Sequence, residues 1–239
     1  MPNEDMIVIG AIARKGGAGK TTVLKALISA CIAAEKRCLA LDTDPQRALF
    51  DWAEHLNESG AGHPMLLVKH IERTDQVEQE INAAYEGDLA DFVFIDTPGE
   101  GGDWADEVAI QCDHIVTPIM LSDTDMRIGQ QTLDWFERLK SRADDPSLLP
   151  KHHAVLNRVR LKTTKGDDEL LVRATSLFPV INTLILDRNQ YVEMDRHGLL
   201  HDLARQKSQD KSALVRVHAK HFYEALEEAK DVLNEILAG

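Results

Sequence analysis

The residues best suited to chemistry in this 239-residue chain lie between its first apolar run and its first helical pattern. They read Arg14-Lys15-Gly16-Gly17-Ala18-Gly19-Lys20-Thr21-Thr22. Holding a phosphate requires backbone N–H groups that converge on an anion, and glycines let the chain turn that closely. A helix starting near Lys20 adds its free N–H groups and the positive end of its dipole. Lys20 can then reach the β- and γ-phosphates of a nucleotide, while the Thr21 hydroxyl can ligate Mg²⁺. The strict pattern GxxxxGK[ST] fails, because Arg14 stands where its first glycine belongs. The segment reads KGGxGKTT instead, with Lys15 as an additional cation.

Carboxylates follow at the ends of two further apolar runs. Leu41-Asp42-Thr43-Asp44-Pro45-Gln46 closes the second run, and Phe92-Val93-Phe94-Ile95-Asp96 is an apolar run ending in an acid. Carboxylates at the C-terminal edge of a parallel sheet face the ligand crevice. The competing reading of Asp42 or Asp44 is a cap on the next helix. Asn157 follows Ala154-Val155-Leu156, where its amide could pair with a base edge or simply close a turn.

These positions need a scaffold of alternating strands and helices. Strands are expected at Ile7–Ala13, Cys38–Leu41, Met65–Val68, Phe92–Ile95, Ile115–Ile119, Ala154–Leu156 and Val180–Leu186. Helices are expected over Lys20–Ala34, Gln46–Glu58, Asp75–Tyr85, Asp125–Arg142 and Asp167–Leu177, with one long stretch from Lys211 to Leu237 that has room for a single break. Such alternation implies an α/β fold, a mostly parallel twisted sheet with helices on both faces. No repeat or linker divides the chain, so residues 1–239 are expected to form one domain. No apolar run approaches the roughly 18 residues that span a bilayer. The acidic start Met1-Pro2-Asn3-Glu4-Asp5 is not a signal peptide. Cys31, Cys38 and Cys112 form no CxxC pair, which suits a reducing cytoplasm.

Taken together, KGGxGKTT, DxDPQ and the apolar strand ending in Asp96 resemble the deviant Walker A ATPases of the ParA/MinD family, from Ile7 to at least the His197-Gly198 region. The resemblance implies a P-loop NTPase that binds ATP and Mg²⁺, with Gly16, Gly17, Ala18, Gly19, Lys20, Thr21 and Thr22 around the phosphates. It implies that Lys15 crosses a homodimer interface to the partner's nucleotide. A second fixed cation would then act only when two subunits have closed. By the same resemblance Asp44 orients the attacking water, Asp42 supports the metal shell around Thr21, and Asp96 holds Mg²⁺ through a water. Thr97-Pro98-Gly99 corresponds to a second switch with the Gly99 N–H near the γ-phosphate, and Asn157 to a base-contacting position.

Within that family, cluster-ligating cysteines, CxxC pairs and a terminal tyrosine cluster are absent from the sequence. The final helical stretch is acidic on its polar face, which disfavours an anionic membrane. The remaining resemblance is to plasmid-borne ParA proteins, especially the branch acting at conjugative or T-DNA transfer origins. The chain starts directly at the ATPase strand, so the operator-reading extension of larger relatives is expected to be missing. Sequence-independent DNA contact and a separate ParB-like or relaxosome-type partner follow, with nucleoid association in the ATP state. The charge pattern agrees. Between Lys151 and Lys220, thirteen Lys and Arg stand against eight Asp and Glu, a local +5 in a chain of net −13. Arg158, Arg160, Lys162, Arg188, Arg205, Lys207 and Arg216 are the expected DNA contacts. A MinD-like regulator of a membrane or protein cargo and a small-carboxylate ligase remain as alternatives.

Overall fold

The computed structural model describes residues 2–99 and 103–239; Met1 of the acidic start lies outside them. Short β-branched and aromatic runs form six parallel strands: β1 (Ile7–Ala11), β2 (Cys38–Asp42), β3 (Leu66–His70), β4 (Phe92–Asp96), β5 (His114–Ile119) and β6 (Lys151–Leu156). Their order is β3-β2-β4-β1-β5-β6. Every strand of β1, β2, β4 and β5 is nearly or fully buried, as a parallel sheet covered on both faces requires.

Alternation along the strands divides the core. Ile9, Ala40, Phe94 and Val116 face one layer. That layer contains α1 (Lys20–Ala33), α2 (Ala48–Ser59), α7 (Asn189–His197), α8 (Leu200–Ser208) and α9 (Ala213–Ala238). Val8, Leu39, Leu41, Val93 and Ile95 face the other, which contains α3 (Thr74–Glu86), α4 (Asp103–Ala109) and α5 (Asp123–Arg142). A third cluster joins β6 to α5 and α6 (Lys165–Leu177) through Leu156, Met126, Ala174 and Phe178. Helix α1 is buried nearly all round, because α9, α8 and α7 cover the side that the sheet does not.

Two expectations change. Val180–Leu186 is no strand: it forms only isolated bridges, Ala154–Val180 on β6 and Val159–Leu186 just past the end of β6. The offset differs by one residue between those bridges, so no continuous ladder can form. The backbone N–H groups of Asn182 and Thr183 instead donate to Glu235 of α9, at 2.5 and 2.9 Å. The tail is one unbroken helix from Ala213 to Ala238. Helices α4, α7 and α8 were not expected as separate elements. The three cysteines are buried and unpaired.

Buried histidines stitch β5 to β6. His152 Nε2 donates to the Thr117 hydroxyl at 2.8 Å, which itself donates to the Ile12 carbonyl. His114 and His153 meet at 3.1 Å. Burial, aided by neighbouring positive charge, pushes both His152 and His153 down to about 4. The unfolded chain protonates near 6.5, so their contribution to stability is full above about pH 6.5 and is lost as pH falls toward 4. Both rings should titrate near pH 4 in an NMR experiment on the folded protein. Midpoints near 6.5 would show that the rings are solvated.

Candidate functional site

The sheet order brings the motifs to one edge. Asp96, the last residue of β4, stands in register with Ala11 on one side and Asp42 on the other. The loop from β1 to α1 therefore passes directly over both carboxylates. Gly17 and Gly19 adopt φ of +79° and +96°, which bends the loop around an open cleft. A Cβ on Gly19 would fall 2.0 Å from Asn157 Nδ2, so a side chain there has no room. The cleft holds about 470 Å³ and is lined by Gly16, Lys20, Thr21, Asp44, Gly99 and Arg158, among others.

Lys20 is buried, which lowers its proton affinity, and Asp96 and Asp44 partly restore it. Thr21 Oγ1 donates to Asp96 Oδ2 at 2.5 Å. Asp96 Oδ1 is buried with no partner among the described residues, and burial pushes the carboxyl up to about 7. A divalent cation suits these residues: it would satisfy the orphan oxygen and restore the charge that burial opposes. Gly99 packs on the glycine-rich loop so closely that an added Cβ would meet Gly16 N at 2.5 Å. The Thr97–Gly99 segment thus rests on the backbone of the glycine-rich loop.

Three expected residues sit differently from their assigned places. Both oxygens of Asp42 are taken: Oδ1 accepts the Asp44 N–H, and Oδ2 accepts the N–H groups of Leu49 and Phe50 at 2.8 and 2.9 Å. Asp42 therefore shapes the loop from 43 to 48 and caps α2, rather than facing a metal. Asn157, fully buried, donates to the Ala18 carbonyl at 3.1 Å and does not line the cleft. One of its amide hydrogens holds the glycine-rich loop from beneath. Arg158 does line the cleft, at φ +53°, a conformation that a bulky residue adopts only under constraint.

The expected basic surface separates into exposed cations and partly buried ones. Arg160, Lys162, Arg205 and Arg216 are exposed. Lys207 pairs with Glu193 at 2.9 Å and covers the Phe222 ring. Arg188 is only 12% exposed and bridges Glu228 and Glu224 of α9, at 3.0 and 3.2 Å, so it is no surface contact. Glu228 also accepts from Leu186 N and Tyr191 OH. Removing one partner of such a buried pair costs about 3–5 kcal/mol. Arg188→Ala should lower the urea midpoint accordingly. A stability equal to wild type would return Arg188 to the surface.

Lys15 departs most from expectation in its partner. Its Nζ lies 2.8 Å from Asp125 Oδ1, and its side chain is absent from the cleft lining. Asp125 is 8% exposed and exchanges hydrogen bonds with Ser122, the cap of α5. Ser122-x-x-Asp125 is legible as a helix start. Nothing in the spacing announced the ion pair across 110 residues.

Comparison with known proteins now bears on this geometry. Residues 6–238 match the family described as VirC1 protein. The chain belongs to the VirC1 family. Its VirC1 match is accompanied by 25% identity to protein virC1 of Rhizobium radiobacter over 190 residues, 78% of this chain and 79% of that one. "Maintenance of carboxysome distribution protein A" of Halothiobacillus neapolitanus is 33% identical over 182 residues, 74% and 78% of the respective chains. The fold overlays on the ATP complex of a Cyanothece McdA variant with a TM-score of 0.63, at 14% identity, covering 94% and 98%. This VirC1-family chain thus resembles the ParA/MinD-like deviant Walker ATPases in its motifs and shares their α/β P-loop fold. Among its described residues no helix is long and apolar enough to cross a membrane.

Proposed function

We propose that this protein hydrolyses Mg·ATP as a face-to-face homodimer, and that the ATP-bound dimer holds DNA without sequence preference to position or transfer it. The observation that carries the reading is the direction of Lys15. A lysine beside the phosphate loop that points away from its own cleft suits action on a second subunit's nucleotide. The Asp125 pair would hold Lys15 in reserve until another subunit presents a more concentrated negative charge.

Within each subunit Lys20 and the loop N–H groups bind phosphate, and Thr21 with Asp96 would hold Mg²⁺. When bound, ATP supplies the scissile phosphoanhydride and Mg²⁺ supplies charge neutralisation at its oxygens. Asp44, at the cleft wall, orients water. Asp42 and Asn157 keep the two loops in place, and Arg158 adds a cation at the rim.

Arg160, Lys162, Arg205 and Arg216 supply phosphate contacts on DNA, doubled on dimerisation. If each subunit neutralised about 3 phosphates, log affinity would fall against log salt with a slope of about −5. DNA affinity for two unrelated duplexes, measured across a salt series with ADP and with ATP, tests this. Binding that ignores nucleotide, or that prefers one duplex strongly, would overturn it. The carboxysome-distribution relative favours a second reading, in which the cargo is a protein assembly. A separate ParB-like or relaxosome-type protein would couple either cargo to hydrolysis, and raised turnover on adding it is the corresponding readout.

A further inference from the structure

We infer that His63, His201 and Asp202 form a binding site for a borderline divalent cation of the Zn²⁺ kind, separate from the nucleotide cleft. His63 lies on the loop between α2 and β3, while His201 and Asp202 occupy the first turn of α8. One ligand atom from each residue lies within 4.8 Å of the others. None of the three lines the nucleotide cleft.

The spacing is close to what such an ion needs. Ligands about 2.0–2.1 Å from a tetrahedral Zn²⁺ lie about 3.3–3.4 Å from each other. His201 Nε2 and Asp202 Oδ2 are already 3.4 Å apart. His201 Nδ1 is buried, so Nε2 is the nitrogen left for a ligand. Asp202 uses its other oxygen, Oδ1, to accept from Arg205 Nη2 at 2.8 Å. That outer contact orients the carboxylate without occupying the oxygen that faces His201.

His63 completes the set from across the gap, its ring edge-to-face with that of His201 at 5.6 Å. It must move inward and give up the bond that its Nδ1 accepts from Met65 N, which is long at 3.2 Å. Gly60 and Gly62 precede it in the loop and Pro64 follows it, so the approach falls to the His63 side chain. A cleft of about 590 Å³, lined by His63, His197, Asp202 and Gln206, leaves room for entry and for water as a fourth ligand. The bound ion would clip the α2–β3 loop to α8.

Titration of the full-length protein with Co²⁺ and with Zn²⁺, both in excess Mg²⁺, tests the site. One equivalent of Co²⁺ should give the visible absorption of a tetrahedral complex, and Zn²⁺ should displace it and raise the melting temperature. His63→Ala and His201→Ala should each weaken binding at least tenfold, with unchanged circular dichroism. His63→Gln, which keeps a polar side chain of similar size, should behave like His63→Ala. Asp96→Asn should leave the Co²⁺ spectrum intact. No stoichiometric binding, undiminished binding in the histidine variants, or loss in Asp96→Asn would each overturn the assignment.

Discussion

An Asp44→Ala variant is expected to bind Mg·ATP as tightly as wild type and to hydrolyse it at least about 100-fold more slowly, the usual scale for losing a group that manages a reacting water. The expectation rests on a separation of tasks within one loop. The Asp44 N–H is held by Asp42 Oδ1, and Asp42 Oδ2 anchors α2, so the loop keeps its course without the Asp44 carboxylate. That carboxylate faces the cleft and, among the described residues, accepts only the Gln46 N–H at 2.9 Å. Its removal therefore takes a charge from beside the phosphates and little from the fold. Phosphate release reports the rate, and size-exclusion chromatography should show the ATP-bound dimer accumulating. Wild-type turnover would reduce Asp44 to the turn contact with Gln46.

The two lysines of the glycine-rich loop should fail in different ways. Lys20 is buried at the cleft floor, and Lys20→Ala removes the cation nearest the phosphates. Loss of a buried charged contact of this kind costs roughly 3 kcal/mol, or about 100-fold in ATP affinity. Lys15→Ala should leave the affinity of the monomer within about threefold, because Lys15 lies outside its own cleft. It should abolish the dimer and with it most of the turnover. Asp125→Ala releases Lys15 from its 2.8 Å pair and should lower the ATP concentration at which dimers form. Fluorescent-nucleotide titration and sedimentation separate these effects. Equal loss of ATP affinity in Lys15→Ala and Lys20→Ala would remove the case for action across an interface.

The parts of this site that were legible in sequence are those that local chemistry dictates. Glycines before Lys20-Thr21, and acids ending the apolar runs at Asp42 and Asp96, identify themselves because a phosphate loop and a parallel sheet edge leave few other uses for them. The strand-helix alternation likewise followed from continuous apolar runs such as Phe92–Ile95. What escaped was decided by tertiary partners. Asp42 and Asp44 look alike in DxDPQ, yet only the fold shows that α2 consumes the Asp42 carboxylate. Arg188 looks like any cation of the basic segment until α9 brings Glu224 and Glu228 against it. Val180–Leu186 has strand composition, and it is Glu235, more than fifty residues away, that draws Asn182 and Thr183 off the sheet edge. The Lys15–Asp125 pair has the same origin, since β5 places α5 beside the glycine-rich loop.

The central claim is that ATP closes two of these subunits together. Sedimentation velocity of the Asp44→Ala protein with Mg·ATP, with Mg·ADP and without nucleotide tests it most directly, because slow hydrolysis preserves the closed state. A dimer is expected with Mg·ATP alone, and it should be lost when Lys15→Ala is added to the same chain. A monomer under all three conditions, or a dimer indifferent to nucleotide and to Lys15, would contradict it.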